Sequence, residues 1–144
     1  KDGEWVTVLS GFRDGLFECS HCRRETPYDR EVLKAGKSLA CAWCQGALQA
    51  PARIKVGPNV VMLSPKTQLF GHHLGVPNDF KKPAAELAQH PKKPGVWGLK
   101  NLGARPWSYL GADGQVRTVD PGRSAPVKDG LKINFGAVVG AIRA

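Results

Sequence analysis

The chain has 144 residues, of which 42% are apolar and 8% aromatic, enough for a packed core and too much for a disordered tail. No apolar run approaches the length of a membrane-spanning helix, and the charged, glycine-containing start is not a signal peptide. We therefore expect a cytoplasmic protein of one ordinary or two small domains, without a membrane partner.

The net positive charge of the chain comes entirely from its second part. The formal net charge is +9, from 21 basic and 12 acidic residues. Residues 1–50 contain seven Lys or Arg and seven Asp or Glu, whereas residues 51–144 contain fourteen basic and five acidic residues. A positive excess is typical of proteins that bind nucleic acid or phosphorylated partners, and here it would have to act through residues 51–144.

The first predicted elements form a hairpin. Residues 4–9 are rich in β-branched and aromatic side chains, which predicts a strand. Residues 13–15 form a turn signal, and a second short strand at residues 16–18 would lead into the first pair of cysteines.

All four cysteines lie in two Cys-x-x-Cys pairs, Cys19 with Cys22 and Cys41 with Cys44, separated by eighteen residues. Two tight turns of this kind present four sulfurs to one tetrahedral metal ion, and the separation is typical of a zinc ribbon. We predict one structural Zn²⁺ with these four ligands. Because the sulfurs fill the coordination sphere, no position remains for catalysis.

Two alternatives use the same cysteines. A disulfide within a two-residue gap would constrain almost nothing, and a redox dithiol is expected beside a βαβ pattern that the sequence lacks. Between the pairs, residues 28–36 predict one helical turn ending at Gly36, and the ribbon is expected to end at residue 50.

Residues 51–144 predict an antiparallel β-sandwich with one short helix or helical loop. Short apolar runs alternate with Gly and Pro turns over residues 53–70, and strand patterns return over residues 96–102, 107–110, 115–119 and 131–135. Pro83 followed by good helix formers to Gln89, with Pro91 behind, predicts the helix. The predicted organisation is a zinc ribbon at residues 1–50 and a β-sandwich at residues 51–144.

Four motifs in the second part resemble those of forkhead-associated (FHA) domains, and the likeness covers about residues 53–143. The strand end 69–71 is similar to the family's Ile-Gly-Arg, and His90 precedes a tryptophan strand. Residues 98–103 are similar to its Leu, Asp, Leu, Gly strand, and residues 129–136 to its closing motif. The resemblance implies an FHA-like sandwich that docks a protein partner.

The resemblance also locates the family's phosphothreonine contacts, and this chain departs from all three. The family's Arg falls on His72 and its Ser on Leu87, and its Asn-Gly has no counterpart in residues 104–107. Lys and Arg nevertheless suit phosphate, so loops that met at one end of the sandwich would form a basic site. The predicted contacts with a partner or phosphate are His72, Lys92, Lys93, Lys100 and Arg105.

The ribbon followed by an FHA-like unit resembles the region after the catalytic domain in bacterial Ser/Thr protein kinases of tellurium-resistance-type stress cassettes. The chain starts at Lys1 without a Met, so we expect a segment of a longer polypeptide, with an attached kinase domain as one partner. The sequence contains no Gly-rich phosphate loop, His-Arg-Asp or Asp-Phe-Gly motif, and we expect no enzyme activity from this segment.

Two other functions compete with this hypothesis of a signalling and interaction module. The first is nucleic-acid binding, which many zinc ribbons perform and which the net charge favours, although the neutral ribbon opposes it. The second is a metalloenzyme that uses the histidines, but the sequence offers it no open metal site.

Overall fold

The structure, a computed structural model, describes residues 2–65, 67–77 and 79–144. The first part of the chain contains one longer helix, one short helix and two small hairpins. Its elements are α1 (Asp2–Asp14), β1 (Leu16–Glu18), β2 (Glu25–Pro27), α2 (Arg30–Lys34), β3 (Leu39–Ala40) and β4 (Ala47–Leu48). β1 pairs with β2 and β3 with β4, both antiparallel, so each hairpin carries one pair of cysteines.

The strand predicted at residues 4–9 is wrong, because these residues belong to α1. The same sequence also has a helical period: Trp5, Val8, Leu9 and Phe12 recur at the spacing that places side chains on one face of a helix. The β-branched content favoured a strand, but residues 2–14 have no strand partner, and a helix satisfies its own backbone hydrogen bonds.

The helical turn predicted between the cysteine pairs is confirmed as α2. Asp29 caps its start, since its carboxylate accepts hydrogen bonds from the backbone N–H groups of Glu31 and Val32 at 3.0 and 3.1 Å. Gly36, just beyond its end, has a φ of 73° that favours glycine.

The regular elements described in the second part of the chain are strands, apart from one 3₁₀ turn. Its elements are β5 (Arg53–Val56), β6 (Asn59–Met62), β7 (Gln68–Phe70), a 3₁₀ turn (Gly71–Leu74), β8 (Pro83–Gln89), β9 (Trp97–Asn101), β10 (Trp107–Leu110), β11 (Val116–Val119), β12 (Ser124–Pro126), β13 (Lys132–Asn134) and β14 (Val139–Arg143). Six strands form one sheet in the order β11-β10-β13-β14-β5-β6, and four form the other in the order β12-β9-β8-β7. All of their pairings are antiparallel, which confirms the mainly β fold.

The two sheets share one apolar core. Ile54, Ile133 and Ile142 from the six-stranded sheet and Leu69 and Leu99 from the four-stranded sheet are fully buried in it. Side chains from both sheets therefore interdigitate, as in a β-sandwich.

The helix predicted at residues 83–89 is wrong, because this segment is β8, in the interior of the four-stranded sheet. Ala85 and Leu87 point into the core while Glu86 and Ala88 are only half-buried, which is the period of a strand. Pro83 is tolerated as the first strand residue. Pairing with β7 and β9 supplies hydrogen bonds on both edges and outweighs the helix propensity of Ala, Glu and Leu.

Asn101 fixes the end of β9. Its side chain is fully buried, and its amide donates to the carbonyls of Arg105 at 2.8 Å and Val119 at 3.0 Å. Its Oδ1 accepts from the N–H of Gly103 at 2.9 Å. One side chain thus satisfies three backbone groups and joins β9, the loop after it and β11.

Candidate functional site

The four cysteines come together at the tips of the two small hairpins. The Sγ atoms of Cys19 and Cys44 are 3.8 Å apart and those of Cys22 and Cys41 are 3.7 Å apart, so each close contact joins one pair to the other. The four sulfurs all lie within 4.8 Å of one another, an arrangement that one metal ion can bridge.

The two cysteine turns have the same backbone design. The residue after each pair, Arg23 in the first turn and Gln45 in the second, has a positive φ, of 65° and 61°. Backbone N–H groups point at the sulfurs, from His21 to Cys19 and from Trp43 to Cys41, each at 3.3 Å. Left-handed backbone at two non-glycine residues is strained, which is expected where a turn is shaped to present ligands.

The surroundings of the sulfurs lower the pKa of one cysteine and raise the pKa of another. Hydrogen bonds from the backbone of Cys44 and Trp43 lower the pKa of Cys41 to about 6 despite its burial. A hydrogen bond from Gly46 lowers the pKa of Cys44, but burial and the neighbouring sulfurs outweigh it and raise the pKa to about 11. The fourth thiolate therefore forms with difficulty beside the others, and a bound cation would relieve that repulsion.

Two aromatic side chains next to the cysteines have roles other than metal ligation. The His21 Nε2 lies 3.0 Å from the carbonyl of Ala47, and its ring leaves no room for a side chain at Gly46, so it links the two hairpins. Trp43 is 61% exposed, its Nε1 donates to the carbonyl of Glu25 at 2.9 Å, and the guanidinium of Arg24 lies 5.4 Å from the ring centroid. The exposure of Trp43 was not evident from the sequence.

A second group of side chains could also bind a metal. It contains Asp14, His72 and His73, each of which has one potential ligand atom within 4.8 Å of those of the other two. The His73 Nδ1 accepts the backbone N–H of Phe70 at 2.9 Å, so the ring proton is on Nε2, which lies 2.8 Å from the Asp14 carboxylate. Both ring nitrogens are thereby engaged and neither offers a lone pair to a metal. The pair is nearly inaccessible to water and joins the end of α1 to the 3₁₀ turn.

The ring of His72 is packed between two others. Its centroid lies 3.8 Å from that of His73 and 4.3 Å from that of Phe80. Its Nδ1 lies 3.2 Å from the carbonyl of Asp79 and must therefore carry the proton that it donates, while Nε2 is buried without a hydrogen-bond partner. Burial and the neighbouring His73 lower the pKa of His72. In this position the ring presents no nitrogen to a ligand in solvent.

The predicted contact residues are distributed over both ends of the four-stranded sheet. His72 follows β7 and Arg105 follows β9. The register of β7 and β9 against β8 places the ends of these two strands at the same end of the sheet. Lys92 and Lys93 lie in the turn from β8 to β9, at the opposite end of the sheet. Lys100 is the penultimate residue of β9, and its Nζ lies 3.9 Å from Oε1 of Glu86. The structure therefore places His72 and Arg105 at one end of the sheet, and Lys92 and Lys93 at the other. Contact with a partner stays a prediction.

An apolar cavity opens beside Lys92 and Lys93. Its volume is about 450 Å³. Three of the residues that line it belong to the four-stranded sheet, and the others lie in loops or just outside strands of the six-stranded sheet: Ala52, Leu63, Pro65, Leu87, Gly95, Val96, Trp97, Pro126, Val127, Lys128 and Ala144. Val96 is 47% exposed, and its N–H donates to the carbonyl of Lys93 at 3.2 Å, which holds the lysine turn at the mouth of the cavity. We call this place the lysine-end cavity.

The chain matches no protein-family model, no curated protein and no solved structure. No helix among residues 2–65, 67–77 and 79–144 is long and apolar enough to cross a membrane.

We expect His72 to make the protein less stable in acid. Its folded pKa is below the ordinary value of about 6.5, so below that pH the unfolded chain binds more protons and the free energy of unfolding falls, by at most about 1.4 kcal/mol per pH unit. His72→Phe keeps a ring between His73 and Phe80 and should flatten this slope. Urea unfolding between pH 5 and 8 at saturating metal measures it.

The matched control is His90→Gln, which alters an exposed histidine. It should leave the pH slope as in the parent protein. Equal slopes for the parent protein and His72→Phe would contradict the role assigned to His72.

Proposed function

We propose that this chain is a non-catalytic interaction module in which a zinc ribbon is fused to an FHA-like sandwich that docks a protein partner. In this proposal it is the cytoplasmic regulatory tail of a bacterial Ser/Thr kinase. The antiparallel two-sheet sandwich and the position of the motifs support it. The motif at 69–71 ends β7, that at 98–103 ends β9, and that at 129–136 contains β13.

The observation that carries the proposal is the lysine-end cavity. Apolar cavities with a few polar groups at the mouth are where proteins hold a partner's anchor side chain. Lys128 lines the cavity, Lys92 and Lys93 lie in the adjoining turn, and the half-buried Trp97 forms part of its wall. Such a site would accept an extended segment with a bulky apolar residue next to acidic ones.

A phosphorylated peptide at the other end of the sheet is the second version of the same proposal. There Arg105, Lys81 and Lys82 are exposed. His72 and Leu87 occupy two positions at which FHA domains contact phosphate. The Nε2 of His72 is buried, and Leu87 is an apolar residue that is only 8% exposed. The geometry therefore favours an acidic, unphosphorylated partner at the lysine end.

Peptide titrations followed by backbone amide NMR shifts test both versions. The probes are an acetylated Glu-Glu-Asp-Phe-Leu-Glu-Glu peptide, the same peptide with Lys in place of each acid, and a phosphothreonine peptide of equal length. We expect the acidic peptide to shift residues 87–97 and 126–128, and the basic peptide to shift nothing. The double variant Lys92→Glu with Lys93→Glu should weaken binding about tenfold, because two favourable charge contacts become repulsive.

Lys81→Glu with Lys82→Glu is the matched control, with the same charge change at the other end of the sheet. It should leave the acidic peptide's affinity unchanged. Shifts confined to residues 71–75 and 103–106 with the phosphopeptide would instead support the second version. The absence of shifts with all three peptides would rule out peptide binding by the sandwich.

We also propose that the metal is zinc and that its role is structural. A tetrahedron with Zn–S bonds of about 2.3 Å has edges of about 3.8 Å, which the observed 3.7 and 3.8 Å sulfur separations fit. The ion would be held by Cys19, Cys22, Cys41 and Cys44, and it would cross-link the two hairpins.

Removal of the metal should unfold the ribbon alone. We expect a strong chelator to release one zinc per chain and to abolish amide-exchange protection over residues 16–48, while residues 53–143 stay protected by their own core. Cys19→Ser should behave like the chelated protein, and Ser20→Ala, at the exposed neighbouring position, like the parent protein. Protection of residues 16–48 in zinc-free protein would contradict a structural metal.

Nucleic-acid binding remains a second candidate, and Trp43 is the observation that favours it. One exposed indole stacked with Arg24 at the tip of a zinc ribbon is a surface on which an unpaired base can stack. The neutral charge of residues 1–50 opposes it.

If this candidate holds, a labelled oligothymidylate should bind at 50 mM salt and lose affinity steeply at 200 mM. Trp43→Ala should then weaken binding about tenfold or more, whereas Val139→Ala, at an exposed position of the sandwich, should not. No change in fluorescence anisotropy at low salt would eliminate nucleic-acid binding.

A further inference from the structure

Helix α1 presents its apolar side outward. Four of its five large apolar residues, Trp5, Val8, Leu9 and Phe12, are 65%, 61%, 61% and 61% exposed. At 100° per residue they occupy one arc of about 100° on the helix. We call these four residues the α1 stripe.

Apart from Val6, the opposite side of α1 is small or polar, and its C-terminal half faces the protein. Gly11 and Asp14 line a hollow together with residues 58–60 and Met62, and α1 contacts β6. Asp14 is buried and Ser10 half-buried, while every other residue of the helix is exposed. An amphipathic helix of a single folded unit normally turns its apolar side inward, so the α1 stripe is an interaction surface.

The helix needs a cover for this surface. It has thirteen residues, including Gly3, Gly11 and the β-branched Val6, Thr7 and Val8, all of which lower helix propensity. A helix of this length is marginally stable in water without packing on one of its faces. The hydrogen bond from His73 to Asp14 anchors only its last residue.

We propose that a second copy of this chain covers the α1 stripe, with the two α1 helices antiparallel about a two-fold axis. The axis would pass between Val8 and Leu9, so that each Trp5 packs beside Phe12 of the second copy and each Val8 beside Leu9. The i, i+3, i+4, i+7 spacing of the stripe is the one that forms a helix–helix seam, and a two-fold axis requires a self-complementary patch of this kind.

The charges at the ends of α1 favour the antiparallel orientation. The first turn carries Asp2 and Glu4, and the last turn carries Arg13. Antiparallel helices place the acidic first turn of one copy beside the basic last turn of the other, whereas parallel helices would place like charges together. The helix dipoles also oppose each other in the antiparallel pair.

The area suffices for a specific contact. Four large apolar side chains exposed to this extent present on the order of 500 Å² per copy. Pairing two copies would bury about 1,000 Å² in total, which is the lower bound for a biological interface. The contact should therefore be a reversible dimer with a dissociation constant in the micromolar range.

The test is the mass of the full chain by analytical ultracentrifugation and light scattering between 5 and 500 μM. We expect a shift from 15.5 kDa towards twice that mass as concentration rises. Leu9→Asp should abolish the shift, and Val116→Asp, which charges a 72% exposed apolar position elsewhere, should not. If the amide NMR signals of residues 53–143 are the same in Leu9→Asp as in the parent protein, the variant is folded.

A charge exchange tests the orientation. Asp2 and Arg13 lie on the same flank of the α1 stripe, so Asp2 of one copy would face Arg13 of the other. Asp2→Lys should weaken the dimer about tenfold, and combining it with Arg13→Glu should restore most of the affinity, because the pair of charges is then reversed. A mass of 15.5 kDa at every concentration overturns the proposal, as does a dimer that survives Leu9→Asp. If Arg13→Glu does not restore the dimer that Asp2→Lys weakens, the antiparallel arrangement is overturned.

Discussion

The carboxylate of Asp14 and the imidazole of His73 meet where water is almost excluded, and the placement of the first part of the chain depends on that contact. Asp14 ends α1, and only Gly15 separates it from the first cysteine hairpin. The Phe70 N–H fixes the ring tautomer, so the proton faces the carboxylate. Loss of either partner would leave the other buried and unsatisfied, which costs about 1–3 kcal/mol.

The two parts of the protein are stabilised in different ways. In the cysteine hairpins the buried residues other than cysteine are Phe17, Thr26 and Leu39, too few for a core. A metal bound by the four cysteines would add stability to these hairpins, because the free energy of ligation becomes free energy of folding. The sandwich has a continuous core drawn from both sheets and needs no such cross-link.

The same division explains where interactions can occur. In the cysteine hairpins the four sulfurs are turned towards one another, and Trp43 is exposed. The sandwich offers an apolar cavity beside Lys92 and Lys93, and the helix offers the α1 stripe. These surfaces lie on different elements of the fold.

By itself the sequence determined the cysteine cluster and the mainly β fold, because Cys-x-x-Cys turns and alternating strands are local patterns. It mispredicted α1, where β-branched residues masked a helical period, and β8, where sheet pairing overrode helix propensity. Only the tertiary structure decided that His73 meets Asp14, 59 residues away, and that Arg105 and Lys92 lie at opposite ends of one sheet. Such contacts depend on strand order and register, which no local stretch of sequence encodes.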